Sequence, residues 1–400
     1  MTEKLPACEG GAPVRTQFLP FARPAIGESE IERVVDVLRS GWLTVGPRTR
    51  EFERVVADYV GVPGAAAVNS CTAGLHLSMV AFGVGPGDEV ILPSLDFAAG
   101  ANTVVHLGAK PVLVDVDAAT LNVTGEILDA AVTDSTKVLM PVHFGGRPCP
   151  MDDIMAVAGS RRLKVLADGA HAISSEYHGH KVGASEADAT SFSFYVTKGV
   201  TTGEGGMVTS SDLDLVKRVG CLSLHGMSSD AWNRYSEHGP WYYEILDAGF
   251  KCNMSDVQAA IGLGQMERID DFRARRDAIA RAYASGLADL DAVTVPPPCT
   301  DGLHAWHLYT IQIDPDALRI DRDRFMHCLR DEGIGASVHF IPIHLHPYYR
   351  VRLGHAKGAF PVTERYFERA VSLPIYPTMT DADTADVLAA VRKIVTYFKR

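Results

Sequence analysis

An α/β fold is predicted for this chain, with a large domain whose mostly parallel sheet is covered by helices on both faces and a smaller α+β C-terminal domain. Three observations predict it. Short apolar, β-branched runs alternate with longer helix-like segments through the first two thirds, which is the pattern of strand–helix–strand units. After Gly264 this gives way to a charged helix, a Val295-Pro-Pro-Pro298 break and a second, mixed set of elements. The 400 residues also exceed what one core holds, since single cores stop growing near about 250–300 residues.

Taken in order, residues 1–17 are polar and glycine-rich and are expected to form a disordered tail. Ser29-Glu30-Ile31-Glu32 has the spacing of a capping box, and Ile31, Val34, Val35 and Leu38 then make one apolar helix face that ends at Ser40-Gly41. Strands are expected at Ala65–Asn69, Glu89–Pro93, Pro111–Val116, Val138–His143, Lys164–Asp168, Ala189–Phe194 and Gly206–Ser210. This assigns 18–264 to the large domain and 265–400 to the small one. The small domain should open with a helix from Gln265 to Ser285, whose Arg273-Ala-Arg-Arg276 run reads as a solvated face. A strand at His307–Ile313, a helix at Arg322–Glu332, an extended piece at Ala336–Ile341, a His/Tyr-rich loop and a last helix at Asp381–Phe398 complete it.

Composition narrows the function classes. The formal net charge is −11 and no basic run exceeds two adjacent residues, so the electrostatic footprint of a nucleic-acid binder is missing. No stretch of about 18 apolar residues and no signal-peptide core occurs, so neither a membrane nor a secreted location is expected and the cytoplasm is the default. Seven scattered cysteines without a C-x-x-C pair read as free thiols in a reducing compartment. The histidines lack zinc-site spacing, and neither a nucleophile elbow nor a Walker lysine motif is present, so no metal is expected.

The residues that can carry chemistry lie at predicted strand ends, where α/β sheets bind ligands. Asp168 ends one strand; Ser193 and Lys198 bracket a turn rich in glycine (Gly199, Gly203, Gly205, Gly206). Asn69-Ser70-Cys71-Thr72-Ala73-Gly74 links a strand to a helix, and such a turn offers free backbone N–H groups at a positive dipole end. Read singly, Thr72 is an N-cap, Ser193 a strand serine, Lys198 a surface lysine and His171 a satisfied loop histidine. Together they supply an amine able to form a Schiff base, hydroxyls for a phosphate and a carboxylate for a pyridinium nitrogen. Those are the groups that pyridoxal 5'-phosphate (PLP) requires of a protein.

The chain resembles the DegT/DnrJ/EryC1/StrS sugar aminotransferase family of fold-type-I PLP enzymes over residues 18–400. The resemblance rests on Gly41-Trp-Leu-Thr-Val-Gly-Pro47, Gly85-Pro-Gly-Asp-Glu-Val-Ile91, Gly108-Ala-Lys-Pro-Val112, Ser193-Phe-Tyr-Val-Thr-Lys198, Gly203-Glu-Gly-Gly206, Gln258-Ala-Ala-Ile-Gly262 and Ser372-Leu-Pro374. It implies an aspartate-aminotransferase-like fold with Lys198 as the Schiff-base lysine and proton shuttle and Asp168 as the pyridinium partner. It also implies that His171 contacts the ring hydroxyl and that Phe97 stacks on the ring. Thr72, Ala73 and Ser193 would hold the phosphate, with Asn253 reaching it from the neighbouring subunit of a homodimer.

The sequence departs from the family pattern at Cys71, at Gly169 and at Asp96, where Thr is common. Lys251-Cys-Asn-Met254, His225-Gly-Met-Ser-Ser-Asp-Ala-Trp232 and His304-Ala-Trp-His-Leu308 look like the branch that aminates carbon 4 of nucleotide-linked ketosugars. The resemblance therefore implies L-glutamate and a dTDP- or UDP-linked 4-keto-6-deoxy sugar as substrates. Val338–Arg350, including His339 and Arg350, and Trp232–Tyr243 are the candidate sugar-binding segments. Amination at carbon 3 or of a cyclitol, a PLP-dependent sugar dehydratase and a non-catalytic PLP-binding protein stay open as alternatives.

Overall fold

The computed structural model describes residues 5–184, 187–228 and 242–400. Nine strands fall in the first part of the chain: β1 (Gly64–Val68), β2 (Glu89–Pro93), β3 (Lys110–Val114), β4 (Thr136–Leu139), β5 (Lys164–Asp168), β6 (Glu176–Tyr177), β7 (His180–Lys181), β8 (Ala189–Ser193) and β9 (Gly206–Ser210). Seven of them form one sheet in the order β1-β9-β8-β5-β4-β2-β3. Its pairings are parallel except those of β9, which runs antiparallel to both β1 and β8.

Both faces of this sheet are covered, and the alternation of side chains shows it. Val90 and Leu92 enter one apolar cluster while Ile91 between them enters another; Leu166 and its neighbours Val165 and Ala167 divide the same way. Burial on both sides explains why these strands read as continuous apolar runs in the sequence.

A separate apolar cluster, formed mainly by residues of the C-terminal part of the chain, includes Tyr283, Tyr309, Phe325 and Val391. Its strands β10 (Val293–Thr294), β12 (Tyr309–Ile313) and β13 (Ala370–Leu373) form an antiparallel sheet, while β11 (Gly302–Leu303) joins the β6–β7 hairpin. The Asp381–Phe398 helix has the expected ends.

Several expectations are corrected. The first helix starts at Glu28 with Gly27 as its N-cap, and the Glu30 carboxylate accepts the Gly27 N–H at 2.7 Å, so Glu30 supplies half of a capping box in place of the expected Ser29–Glu32 pair. The single Gln265–Ser285 helix is two, Asp256–Met266 and Ile269–Leu287. The 264/265 boundary falls inside the first of them, and the apolar core changes between Ile269 and Ile279. Arg276 is 3% exposed and donates to the Trp306 and Ile375 carbonyls at 3.1 and 2.6 Å, so it ties helix to core and does not face solvent. Residues 336–341 form no strand beyond one bridge from Ser337 to Ser372, and the expected His/Tyr loop contains the Pro347–Leu353 helix.

Residues 5–17, expected to belong to a disordered tail, are ordered. Ala7 and Val14 donate their backbone N–H groups to the buried Glu332 carboxylate, each at 2.8 Å. Cys8 and Cys328 are disulfide-bonded, with Cα atoms 5.1 Å apart, which corrects the reading of seven free thiols. The other five cysteines are free. Among the described residues no helix is long and apolar enough to cross a membrane, and no cluster of metal-ligating side chains occurs.

Candidate active site

The carboxyl ends of β1, β2, β5 and β8 open into a cavity of about 610 Å³, closed on its far side by small-domain residues Ser337, His339 and Phe340. Thr72, Phe97, Asp168, His171, Ser193, Lys198 and His339 all line it. The topology explains the gathering: four separate strands deliver their terminal residues to one sheet edge, the position where parallel sheets bind ligands.

The turn after β1 is one wall. Ser70 caps the Cys71–Ala81 helix, its Oγ accepting the Ala73 N–H at 3.1 Å, and exposed Thr72 faces the cavity at the first turn. The helix N-terminus supplies positive potential there. Ala73 is not a lining residue, because its side chain is buried and its N–H is already bonded to Ser70. Behind the turn runs Gly206, where an added Cβ would lie 2.4 Å from the Ser70 carbonyl carbon. The absent side chain lets β9 support the turn by direct backbone contact.

Asp168 is 5% exposed. Its Oδ1 accepts the Ala170 N–H at 2.8 Å and lies 3.8 Å from the Cys71 thiol, so one carboxylate oxygen is fixed in place. Burial pushes this carboxyl up, while the Ala170 N–H, the Lys198 charge and the Cys71 thiol all favour its anion. Burial also brings the Lys198 amine down to about 8, against the opposing charges of Asp168, Cys71 and Asp96. Such an amine holds a usable neutral fraction near neutral pH.

His171 accepts the Gly145 N–H at Nδ1, 3.2 Å away, and packs 4.4 Å from the His307 ring. Burial, with the Lys198 and His339 charges behind it, holds His171 well below the ordinary histidine value. His339 is brought to about 4 by burial and Lys198, and its Nδ1 meets Ser372 Oγ at 2.9 Å. Phe97 is 63% exposed on the cavity wall, 6.0 Å from the Phe340 ring, and presents an aromatic face.

Asn253, expected at a neighbouring subunit's site, and Arg350 do not line this cavity. Asn253 pairs with Val68 by a backbone bridge, and its side chain accepts from Lys251 Nζ at 2.6 Å without lining the cavity. Arg350 is exposed on the Pro347–Leu353 helix and also does not line it. Residues 232–241 of the second candidate sugar-binding segment lie outside the described residues. Phe340 lines the cavity from within the candidate segment Val338–Arg350, whereas sequence reasoning did not single out His307, Tyr195 and Glu204. The run His304-Ala-Trp-His-Leu308 drew notice, but nothing local marks which of its histidines turns inward.

The donor set fits PLP. A planar pyridine ring could lie against Phe97 with its nitrogen at Asp168, its phosphate at the Thr72 turn and Ser193, and its aldehyde carbon toward Lys198. The support at Gly206 and the single engaged oxygen of Asp168 are the features that make the fit specific.

The chain is similar to known proteins over nearly its whole length. The model of the DegT/DnrJ/EryC1/StrS aminotransferase family matches residues 24–392. The spore coat polysaccharide biosynthesis protein SpsC of Bacillus subtilis is 50% identical over 382 residues, which are 95% of this chain and 98% of SpsC. Among solved structures, the PLP form of Spr1654 from Streptococcus pneumoniae superposes with a TM-score of 0.88 at 33% identity, covering 95% of this chain and 99% of that one. DesI, solved in the presence of its TDP-sugar product, gives a TM-score of 0.84 at 33% identity over 96% of this chain and 95% of DesI.

Proposed function

The chain belongs to the DegT/DnrJ/EryC1/StrS aminotransferase family and is a PLP-dependent sugar aminotransferase; from that premise we propose that it moves the amino group of L-glutamate to carbon 4 of a dTDP- or UDP-linked 4-keto-6-deoxy sugar. The observation that carries the proposal is Lys198, an amine of lowered basicity in a cavity that also holds Asp168, His171 and the Thr72 turn. DesI, solved with a TDP-sugar product, supports the nucleotide-sugar reading.

When bound, PLP supplies an electrophilic carbon and a ring that withdraws electrons from it. The chain does the rest. Thr72 and Ser193 hold the phosphate, Phe97 covers one ring face, and Asp168 keeps a proton on the ring nitrogen. His171 donates from Nε2 to the ring oxygen. Lys198 would take a proton from the carbon on one side of the shared nitrogen and return it to the carbon on the other side, a transfer worth roughly 10²–10⁴-fold in rate when the base is positioned. The small-domain wall at His339 and Phe340 keeps bulk water from the reacting carbon. The working unit is a homodimer in which Asn253 reaches the neighbour's phosphate; the exposed apolar residues Tyr242, Ile245 and Leu246, just before it in sequence, suit such an interface.

The test is purified protein with PLP, L-glutamate and a panel of dTDP- and UDP-linked ketosugars, with the product read by NMR. A 4-amino sugar formed together with 2-oxoglutarate is expected. Amination at carbon 3, or a deoxygenated product without glutamate consumption, overturns the assignment.

A further inference from the structure

Asp96 is a second carboxyl on the wall of the same cavity, one residue before Phe97, and it is only 5% exposed. The function derived above does not use it. It ends the turn after β2, and a Cβ built on Gly100 would lie 3.8 Å from its Oδ2, so the following helix packs closely behind it. Two carboxylates in one desolvated site do not both ionise unless cations balance them, and among the described residues Lys198 is the cation acting on both.

The surroundings decide which of the two is the anion. Asp168 has the Ala170 N–H at 2.8 Å and the Cys71 thiol beside it. The support for an Asp96 anion is the backbone N–H of Phe97 and the more weakly acting Lys198, and burial followed by the Asp168 charge pushes its carboxyl well above the ordinary range. The other titratable groups on the walls are His171, His307, His339, Tyr195, Glu204 and Cys71. The three histidines are held neutral by burial, so they add no compensating positive charge.

We propose that Asp96 is a positioning residue for Asp168: it carries the proton of the pair and presents a neutral hydrogen-bond donor, so that a single negative charge faces the cofactor's ring nitrogen. This rests on Asp168 being the ring-nitrogen partner. An unprotonated Asp96 would place a second charge beside Lys198 and raise its basicity; a protonated one leaves the amine free to react.

The experiment reconstitutes wild type, Asp96→Asn, Asp96→Leu and Asp168→Asn with PLP. It reads apparent PLP affinity and the pH profile of the visible absorption band. Asp96→Asn keeps shape and donor and cannot ionise, so it should match wild type in affinity within about twofold and in the midpoint of the band. Asp96→Leu keeps the shape and loses the donor, and should weaken PLP binding by about tenfold. Asp168→Asn should shift the midpoint by about a unit or more. A midpoint in Asp96→Asn that moves as far as in Asp168→Asn shows that Asp96 carries charge and overturns the proposal. Asp96→Leu indistinguishable from wild type also overturns it. Asp168→Asn without effect on either readout fails the ring-nitrogen reading itself.

Discussion

The backbone N–H of Gly145 donates to His171 Nδ1 across 3.2 Å, and that one bond fixes the imidazole as the tautomer with its proton on Nε2. Protonating the ring would put two hydrogens face to face, and burial already disfavours the cation. Because the folded pKa is depressed, the neutral ring contributes stability that is present above the unfolded value, roughly 6.5, and is lost as pH falls below it toward the folded value. His171→Gln keeps a donor and does not titrate. It should bind PLP nearly as well as wild type and lose stability less steeply as pH falls below about 6.5 in denaturant titrations. His171→Phe, which has no donor, should lose about tenfold in PLP affinity.

Lys198 gives a second pH-dependent outcome. Burial lowers its pKa to about 8, so in PLP-free protein its neutral amine becomes dominant above that pH. An exposed lysine stays protonated to about 10.4. The rate of PLP uptake, followed by absorbance, should therefore rise with pH and level off just above 8. A rise that continues to pH 10 would show an ordinary solvated lysine. Lys198→Ala should lose at least about 10²–10⁴-fold in transamination while the protein stays folded by circular dichroism.

Much of this was legible in sequence for a physical reason. β2, β5 and β9 have the expected ends because a short apolar centre, such as Val90-Ile91-Leu92 or Val165-Leu166-Ala167, is bounded by polar or turn-forming residues. Asp168, Ser193 and Lys198 stood out only jointly, because a carboxylate, a hydroxyl and an amine around one glycine-rich turn are the groups PLP requires, while each alone reads as an ordinary residue. Arg276 was misread because a charged side chain that satisfies two core carbonyls has the same local sequence as a solvated one. Phe340 and His307 reach the cavity through domain packing, which leaves no local periodicity to detect. The helix at Pro361–Arg369 and β13 after it were not anticipated, since the chain passes from one to the other without a turn residue.

The backbone contact behind the Thr72 turn predicts an asymmetric response to adding one methyl group. At Gly206 a Cβ meets the Ser70 carbonyl carbon at 2.4 Å and the Cys71 nitrogen at 2.6 Å, and backbone atoms cannot swing away. Gly206→Ala should cost about 1–3 kcal/mol of stability and displace the turn. PLP affinity should then fall by more than the stability loss explains. Gly199, in the loop leading to β9, has no neighbour within 4 Å of an added Cβ. Gly199→Ala should leave both quantities near wild type, and equal losses at the two positions would show that loop entropy, not backbone contact, is the cause.

The last expectation concerns the N-terminal segment. The Cys8–Cys328 bond joins residues 320 apart in sequence, and the same segment is pinned by Ala7 and Val14 on Glu332. Thiol titration of the denatured, unreduced protein should find the five free cysteines, rising to seven after reduction. Closing a long loop restricts the unfolded chain, so reduction or Cys328→Ser should cost about 2–4 kcal/mol in denaturant unfolding. The Glu332 contacts are noncovalent and survive reduction, so the segment should stay docked in the native state and PLP affinity should not change. Seven thiols before reduction would show that the pair is free in solution and that noncovalent contacts, those of Glu332, Arg15, Arg324 and Lys393 among them, hold the segment in place.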